Sequence, residues 1–346
     1  MKTFTAINKL SKGDKVAILS PSFAAPGKWP HVYELGLKRL RENFQLEPVE
    51  YPTTKKIGAS KEERARDLIA AFTDKNIPAI ISSLGGDDQI TYIKNLSPEP
   101  FINNPKPFFG YSDNTHFMNF LWLNGIPSYY GGALFTQFAE SGQMNAYTIK
   151  YLELALFHQG EVKIQASDSY CDQGASWDYP ENLTVNKVYE HNSGWFWDGD
   201  QNAAGVTWGG CLESIDELLR HAVPIPTLQD FENIILLTET SEEIPSSDYV
   251  WRIYRALGER GILERIKGFL IGRPKAWEFD NQKSTEEKEI YRAEQRDVTL
   301  RIIREYNQSA PIVQNLDFGH TDPQIPMPYG MPARIDIKNK EVFINF

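Results

Sequence analysis

Ser112 is the first residue in the sequence that suggests chemistry. It follows a short apolar run and a glycine, in Phe108-Phe109-Gly110-Tyr111-Ser112-Asp113-Asn114-Thr115. A serine on a sharp strand-to-helix turn exposes its hydroxyl and points free backbone N–H groups at whatever that hydroxyl holds. The string departs from Gly-x-Ser-x-Gly, because Asn114 stands where the second glycine would be. A serine here also reads as a plain helix cap. Upstream lies Ser83-Leu84-Gly85-Gly86-Asp87-Asp88. Paired glycines let a loop approach a substrate closely and leave amides free to bind a negative oxygen; a tight turn after a strand is the plainer reading.

A nucleophilic serine needs a proton acceptor, and a histidine suits that role. The chain has six: His31, His116, His158, His191, His221 and His320. His116 lies one helical turn after Ser112 and reads as a surface or packing residue. His320 sits in the polar, glycine-bearing stretch Asp317-Phe318-Gly319-His320-Thr321-Asp322-Pro323, where a side chain would be presented rather than buried. Glu239, at the end of an apolar strand, could orient it, or could be a solvated strand terminus. These residue types describe an enzyme with several candidate sites and do not single out one serine.

The elements that must position them alternate. Strand-like runs are expected at 16–19, 77–82, 107–110, 234–237 and 269–272, with some extended strand at 162–166 and sheet-like alternation at 333–337 and 342–344. Between them, helical spacing appears at 32–41, after a capping box formed by Ser60 and Glu63, at 214–221 and at 249–260. Strands separated by such helices predict an α/β protein with a largely parallel sheet flanked by helices. Ligands bind at the carboxyl ends of strands in such sheets, so 20–22, 82–88 and 110–115 should line one crevice. The expected division is a domain over 1–160 bearing Ser112, an interdomain linker and loops over 161–204, and a mixed α/β domain over 205–346 carrying Glu239 and His320. The charged stretch 277–296 reads as an exposed insertion leading into a helix.

Composition excludes several classes. With 346 residues the chain can build two packed domains. Its formal charge of -10 disfavours nucleic acid or an anionic membrane as partner. No apolar run reaches the ~20 residues needed to span a bilayer. The first nine residues do not read as a signal peptide, so a cytoplasmic protein is expected. Cys171 and Cys211 match no zinc spacing and are expected as free thiols; no metal or cofactor is expected.

Taken in order, Gly85-Gly86-Asp87-Asp88, Gly110-Tyr111-Ser112-Asp113, Gly209-Gly210, Leu236-Leu237-Thr238-Glu239 and Phe318-Gly319-His320 resemble the LD-carboxypeptidase family of serine peptidases, most closely its microcin C immunity branch. The resemblance runs from Ser20-Pro21-Ser22 to the carboxyl tail. It implies a Ser-Glu-His triad of Ser112, Glu239 and His320, an oxyanion hole from the Gly86 and Asp113 amides, an active site at the interface of two domains, and a homodimer. It also implies a small-molecule substrate: a peptidyl- or aminoacyl-nucleotide-like compound in the immunity branch, or a murein tetrapeptide ending in D-alanine in the cell-wall branch. In the immunity branch an aromatic of the interdomain loop stacks on the base; Trp177 falls in that region and Trp208 is a second candidate. Gly85 would approach the substrate, and Arg273 could meet an anionic group, though an arginine there also suits a structural ion pair. A catalytically silent binding module, with Ser112 merely hydrogen-bonding a ligand, is the non-enzymatic alternative.

Overall fold

The computed structural model describes residues 2–346 as two α/β layers built on separate sheets. In the first sheet the strands run in the order Met327–Tyr329, Ser128–Tyr130, Phe108–Gly110, Ala79–Ser82, Lys15–Leu19, Glu47–Glu50. All pair in parallel except Met327–Tyr329, which joins antiparallel to Ser128–Tyr130. The inner strands are continuous apolar runs because helices cover both faces, as parallel sheets require. Ile18, Ile80, Ile81 and Phe108 are fully buried.

The second sheet has the order Glu161–Ile164, Glu341–Asn345, Pro332–Asp336, Ala203–Cys211, Ile234–Glu239, Gly268–Gly272, Ile312–Leu316, Phe196–Asp198. Its centre is parallel and its edges antiparallel. Both sheets contribute to one continuous apolar core.

The expected helices form with the expected signals. Ser60 caps Lys61–Thr73 through a reciprocal bond pair with Glu63. Ser247–Glu259 lies behind Ile234–Glu239, where Tyr254 bonds Thr238 at 2.7 Å.

Two stretches differ from the sequence reading. The segment 161–204 forms the edge strand Glu161–Ile164 at the expected 162–166 stretch, but it adds a second edge strand, Phe196–Asp198, to its loops, because its short apolar pairs find partners only in distant parts of the chain. The charged stretch 277–296 is not simply an exposed insertion. Helix Thr285–Tyr306 starts inside it, capped by Ser284 with Glu287, and buries Lys288 and Arg292 against Asp172. Charge counting misses this because burying a cation requires a carboxylate partner, and Asp172 is more than a hundred residues away.

Candidate active site

The three loops at the carboxyl ends of the first sheet meet, as its topology requires. Phe23 donates its N–H to the Gly85 carbonyl at 3.2 Å, Asp88 donates its N–H to Ser22 Oγ at 3.1 Å, and Gln89 donates its N–H to Asp113 Oδ2 at 3.2 Å. They follow three neighbouring strands, Lys15–Leu19, Ala79–Ser82 and Phe108–Gly110, the first of which is where the strand order reverses. Gly85 leaves no room for a side chain: a Cβ there would lie 3.0 Å from Ser112 Cβ.

Ser112 opens a turn that leads into helix Thr115–Leu123, with its backbone in the left-handed region at φ 61°. A non-glycine residue held there costs roughly 1–3 kcal/mol and needs neighbours that impose it. Its N–H donates to Tyr130 Oη at 3.2 Å, and its carbonyl accepts from Thr115 Oγ1 at 2.7 Å and Ser214 Oγ at 3.3 Å. Among the described residues, neither the Gly86 nor the Asp113 amide has a protein acceptor.

His320 comes from the loop after Ile312–Leu316, and Glu239 from the end of Ile234–Glu239. His320 Nδ1 lies 2.7 Å from Glu239 Oε2, while Glu239 Oε1 accepts the Tyr130 hydroxyl. The approach depends on Gly319, at φ 99°, where a Cβ would fall 2.4 Å from Glu239 Oε2. The Tyr111 ring and the imidazole meet in a T-shaped contact at a centroid distance of 4.9 Å.

The other ring nitrogen departs from the simplest triad geometry. His320 Nε2 lies 3.0 Å from Glu242 Oε2, and no hydrogen bond joins it to Ser112 among the described residues. Burial opposes protonation of His320, but Glu239 and Glu242 together outweigh it and hold the imidazolium up to about 10. Burial likewise works against the Glu242 carboxylate, yet His320 brings it down to about 2. Glu242 is 53% exposed, so water screens this pair and weakens it.

Ser112 and His320 line one cleft of about 650 Å³, together with Gly85, Gly86 and Trp177. The Trp177 ring stands edge-on to Trp29 at 5.1 Å and to Phe135 at 5.4 Å, so one wall of the cleft is aromatic.

Two of the expected substrate contacts lie elsewhere. Trp208 is fully buried in the middle of Ala203–Cys211, donating Nε1–H to Asn119 Oδ1 at 3.1 Å and packing on Phe231. Its place on the helix-covered face of the strand keeps it from the cleft. Arg273 is 1% exposed and gives its guanidinium to Asp317 Oδ1 at 2.6 Å and Thr321 Oγ1 at 3.2 Å. Such burial is tolerable only with a paired carboxylate. Arg273 thus braces the loop that carries His320 and does not line the Ser112 cleft.

His116, read from the sequence as a surface or packing residue, is fully buried beneath the Ser112 turn. Its Nδ1 lies 2.8 Å from Asp113 Oδ1, and its Nε2 lies 3.3 Å from Glu217 Oε2. These three groups are close enough to hold a metal ion. Burial opposes protonation, but Asp113 and Glu217 raise His116 to about 9, so near pH 7 the imidazolium offsets one of the two carboxylate charges. Tyr130 was missed by sequence reasoning, since a tyrosine in a short strand carries no local signal. Glu242 and Glu243 lie close enough along the chain to be confused with Glu239; Glu239 is the one on His320 Nδ1, and Glu242 faces Nε2.

A two-domain α/β protein with a serine turn on one sheet and a His–Glu pair on the other defines the class. The chain belongs to the LD-carboxypeptidase family: residues 16–131 match its N-terminal domain and residues 204–335 its C-terminal domain. A Vibrio cholerae protein that bears the name carboxypeptidase is 26% identical, over 95% of this chain and 94% of its own. The microcin C7 self-immunity protein MccF of Escherichia coli is 22% identical, over 97% and 94%. An MccF-like protein from Streptococcus pneumoniae, solved in complex with AMP, superposes with a TM-score of 0.82 at 28% identity, covering 96% of this chain and 98% of its own.

Proposed function

We propose that this chain is a serine peptidase that hydrolyses an amide bond in a peptidyl- or aminoacyl-nucleotide-like compound. Ser112 is the nucleophile, His320 the base, Glu239 its orienting carboxylate, and the Gly86 and Asp113 amides the oxyanion hole. The observation that carries the reading is the 2.7 Å His320–Glu239 pair opening into the cleft that also holds Ser112.

Substrate entry displaces the exposed Glu242 from His320 Nε2, the Nε2 proton passes to solvent, and Nε2 then faces Ser112 Oγ as a neutral base. Oγ loses its proton to Nε2 and attacks the carbonyl carbon. The oxyanion that forms is stabilised by the two amides, each worth about 3 kcal/mol in such sites. The C–N bond breaks as His320 returns the proton to the leaving nitrogen, and water then releases the acyl group from Ser112. Glu239 holds Nδ1 protonated throughout.

The aromatic wall favours a flat base over a murein peptide. Aromatic rings stack on bases whatever their identity, and Trp177 offers such a face beside Trp29 and Phe135. Two family members support the same direction: MccF has been solved with aspartyl sulfamoyl adenosine, and the Streptococcus protein with AMP. The carboxypeptidase names among the relatives favour the murein tetrapeptide as the second reading.

Side-by-side turnover of an aminoacyl sulfamoyl adenosine and a tetrapeptide ending in D-alanine tests the choice. The nucleotide-like compound should be cleaved faster, and S112A should lose about 10³-fold or more of that rate while staying folded. Cleavage of the tetrapeptide alone would assign the chain to cell-wall chemistry. Undiminished turnover by S112A would end the mechanism.

A further inference from the structure

The Ser112 cleft adjoins a side cavity of about 170 Å³ that Trp177 does not line, and the two share Gly86, Asp87, Ser112 and Glu242. If a nucleotide-like leaving group lies along the aromatic wall, the acyl side of the scissile bond projects into this cavity.

Its walls are acidic, and pairing decides which of those acids are already satisfied. Asp113 and Glu217 flank the protonated His116. Asp216 pairs with Arg220, and Glu242 with His320. Three carboxylates remain without a cation among the described residues: Asp87, Glu213 and Glu243. Glu213 accepts only from Ser241 and the Cys211 thiol. Lys275, across the cleft, is committed to Glu278. Burial first, and then repulsion from Asp113 and Glu242, pushes the Asp87 carboxyl up; burial, then Glu242 and Asp87, does the same for Glu243, and burial with Glu239 for Glu213. Among the described residues the cation on this wall is Arg220, already held by Asp216, so the acids outnumber the counter-charge within their reach.

We infer that the acyl group this chain removes is cationic, with its ammonium or guanidinium seated among Asp87, Glu213 and Glu243 beside Ser112. The inference rests on the function proposed above and names its substrate class. A cation in the cavity supplies the missing counter-charge, and its long stem reaches inward from the carbonyl held at Ser112. A carboxylate there would meet three like charges. The acyl groups of the ligands solved in MccF are of that acidic kind, aspartyl and glutamyl, so this chain and MccF would divide substrates by the sign of one side chain. The acidic wall matters because it abuts the nucleophile; its residues select the substrate and do not perform the reaction.

The test compares lysyl, alanyl and glutamyl sulfamoyl adenosine with the full-length chain. The kcat/KM values should fall in that order, with lysyl over glutamyl by about tenfold or more, as expected for charges at contact distance in partly solvated surroundings. Added salt should narrow the gap. In Glu243→Lys the lysyl preference should shrink or reverse. Equal turnover of the three, or a glutamyl preference, overturns the inference while leaving the hydrolytic reading intact. Calorimetric binding of the lysyl and glutamyl compounds to S112A separates the two ideas. Selective lysyl binding without turnover by the wild-type chain sustains the cationic pocket and refutes hydrolysis, whereas equal binding, or none, refutes the pocket.

Discussion

His320 and Glu242 face each other across 3.0 Å at the edge of the cleft, with the imidazole's other nitrogen tied to Glu239 at 2.7 Å. A histidine between two carboxylates is stabilised as imidazolium, and an imidazolium cannot take a proton from a serine. In the proposed mechanism Glu242 must therefore withdraw before His320 can serve as the base.

Removing that charge should be visible in the pH dependence. His320 is raised to about 10 by Glu239 and Glu242 acting against burial. Glu242→Gln removes one of the two anions, so the imidazole pKa falls and the neutral base becomes populated at lower pH. The acidic limb of the kcat/KM profile should move to lower pH in E242Q. An unmoved limb would mean that the pair is already broken in solution. The same pair has a stability signature of definite sign. The share from the raised His320 is complete below its unfolded value near 6.5 and is lost as pH rises through about 10. The share from the depressed Glu242 is complete above its unfolded value near 4.5 and is lost as pH falls through about 2. Solvent exposure of Glu242 keeps the second contribution small.

Tyr130 ties the two sheets together at the site. Its oxygen accepts the Ser112 N–H and its proton goes to Glu239 Oε1, so one hydroxyl holds both the strained serine turn and the carboxylate behind His320. Tyr130→Phe leaves a buried amide and a buried carboxylate oxygen each short of a partner, at a cost of about 1–3 kcal/mol. Turnover should drop about tenfold with KM little changed, because the substrate-binding walls are untouched. A rise in KM with kcat preserved would contradict this positioning role.

Arg273 offers a prediction of the opposite kind. Its ion pair with Asp317 is buried on both sides. The same Asp317 carboxylate accepts from Ser167 and from Trp195 Nε1, so several segments converge beneath the His320 loop. Arg273→Met strands a buried carboxylate and should destabilise the fold by about 3–5 kcal/mol in urea titration. Pairing it with Asp317→Leu should recover part of that loss. Were Arg273 a substrate contact instead, R273M would raise KM and leave the unfolding midpoint alone.

Much of this was legible along the chain. Continuous apolar runs before Ser20, Ser83 and Tyr111 marked the parallel strands, and the Ser60–Glu63 box marked the start of a helix, because burial on both faces and cap chemistry leave local traces. Ser112, Glu239 and His320 stood at the ends of such elements, where side chains are presented. Trp208 and Arg273 misled for the same local reason: a tryptophan beside glycines and an arginine after a strand look available, and only their burial against Asn119 and Asp317 removes them from the cleft.

The sequence by itself determined which segments become strands and helices, and which residue types could act as nucleophile, base and orienting acid, since these depend on spacing and intrinsic chemistry. Tertiary structure alone decided that Tyr130 links Ser112 to Glu239, that Glu242 meets His320, that His116 lies buried between Asp113 and Glu217 beneath the serine turn, and that Asp87, Glu213 and Glu243 gather beside Ser112. Each of these depends on distance and desolvation between residues far apart in the chain, and charge acquires its sign and strength only once its neighbours are in place.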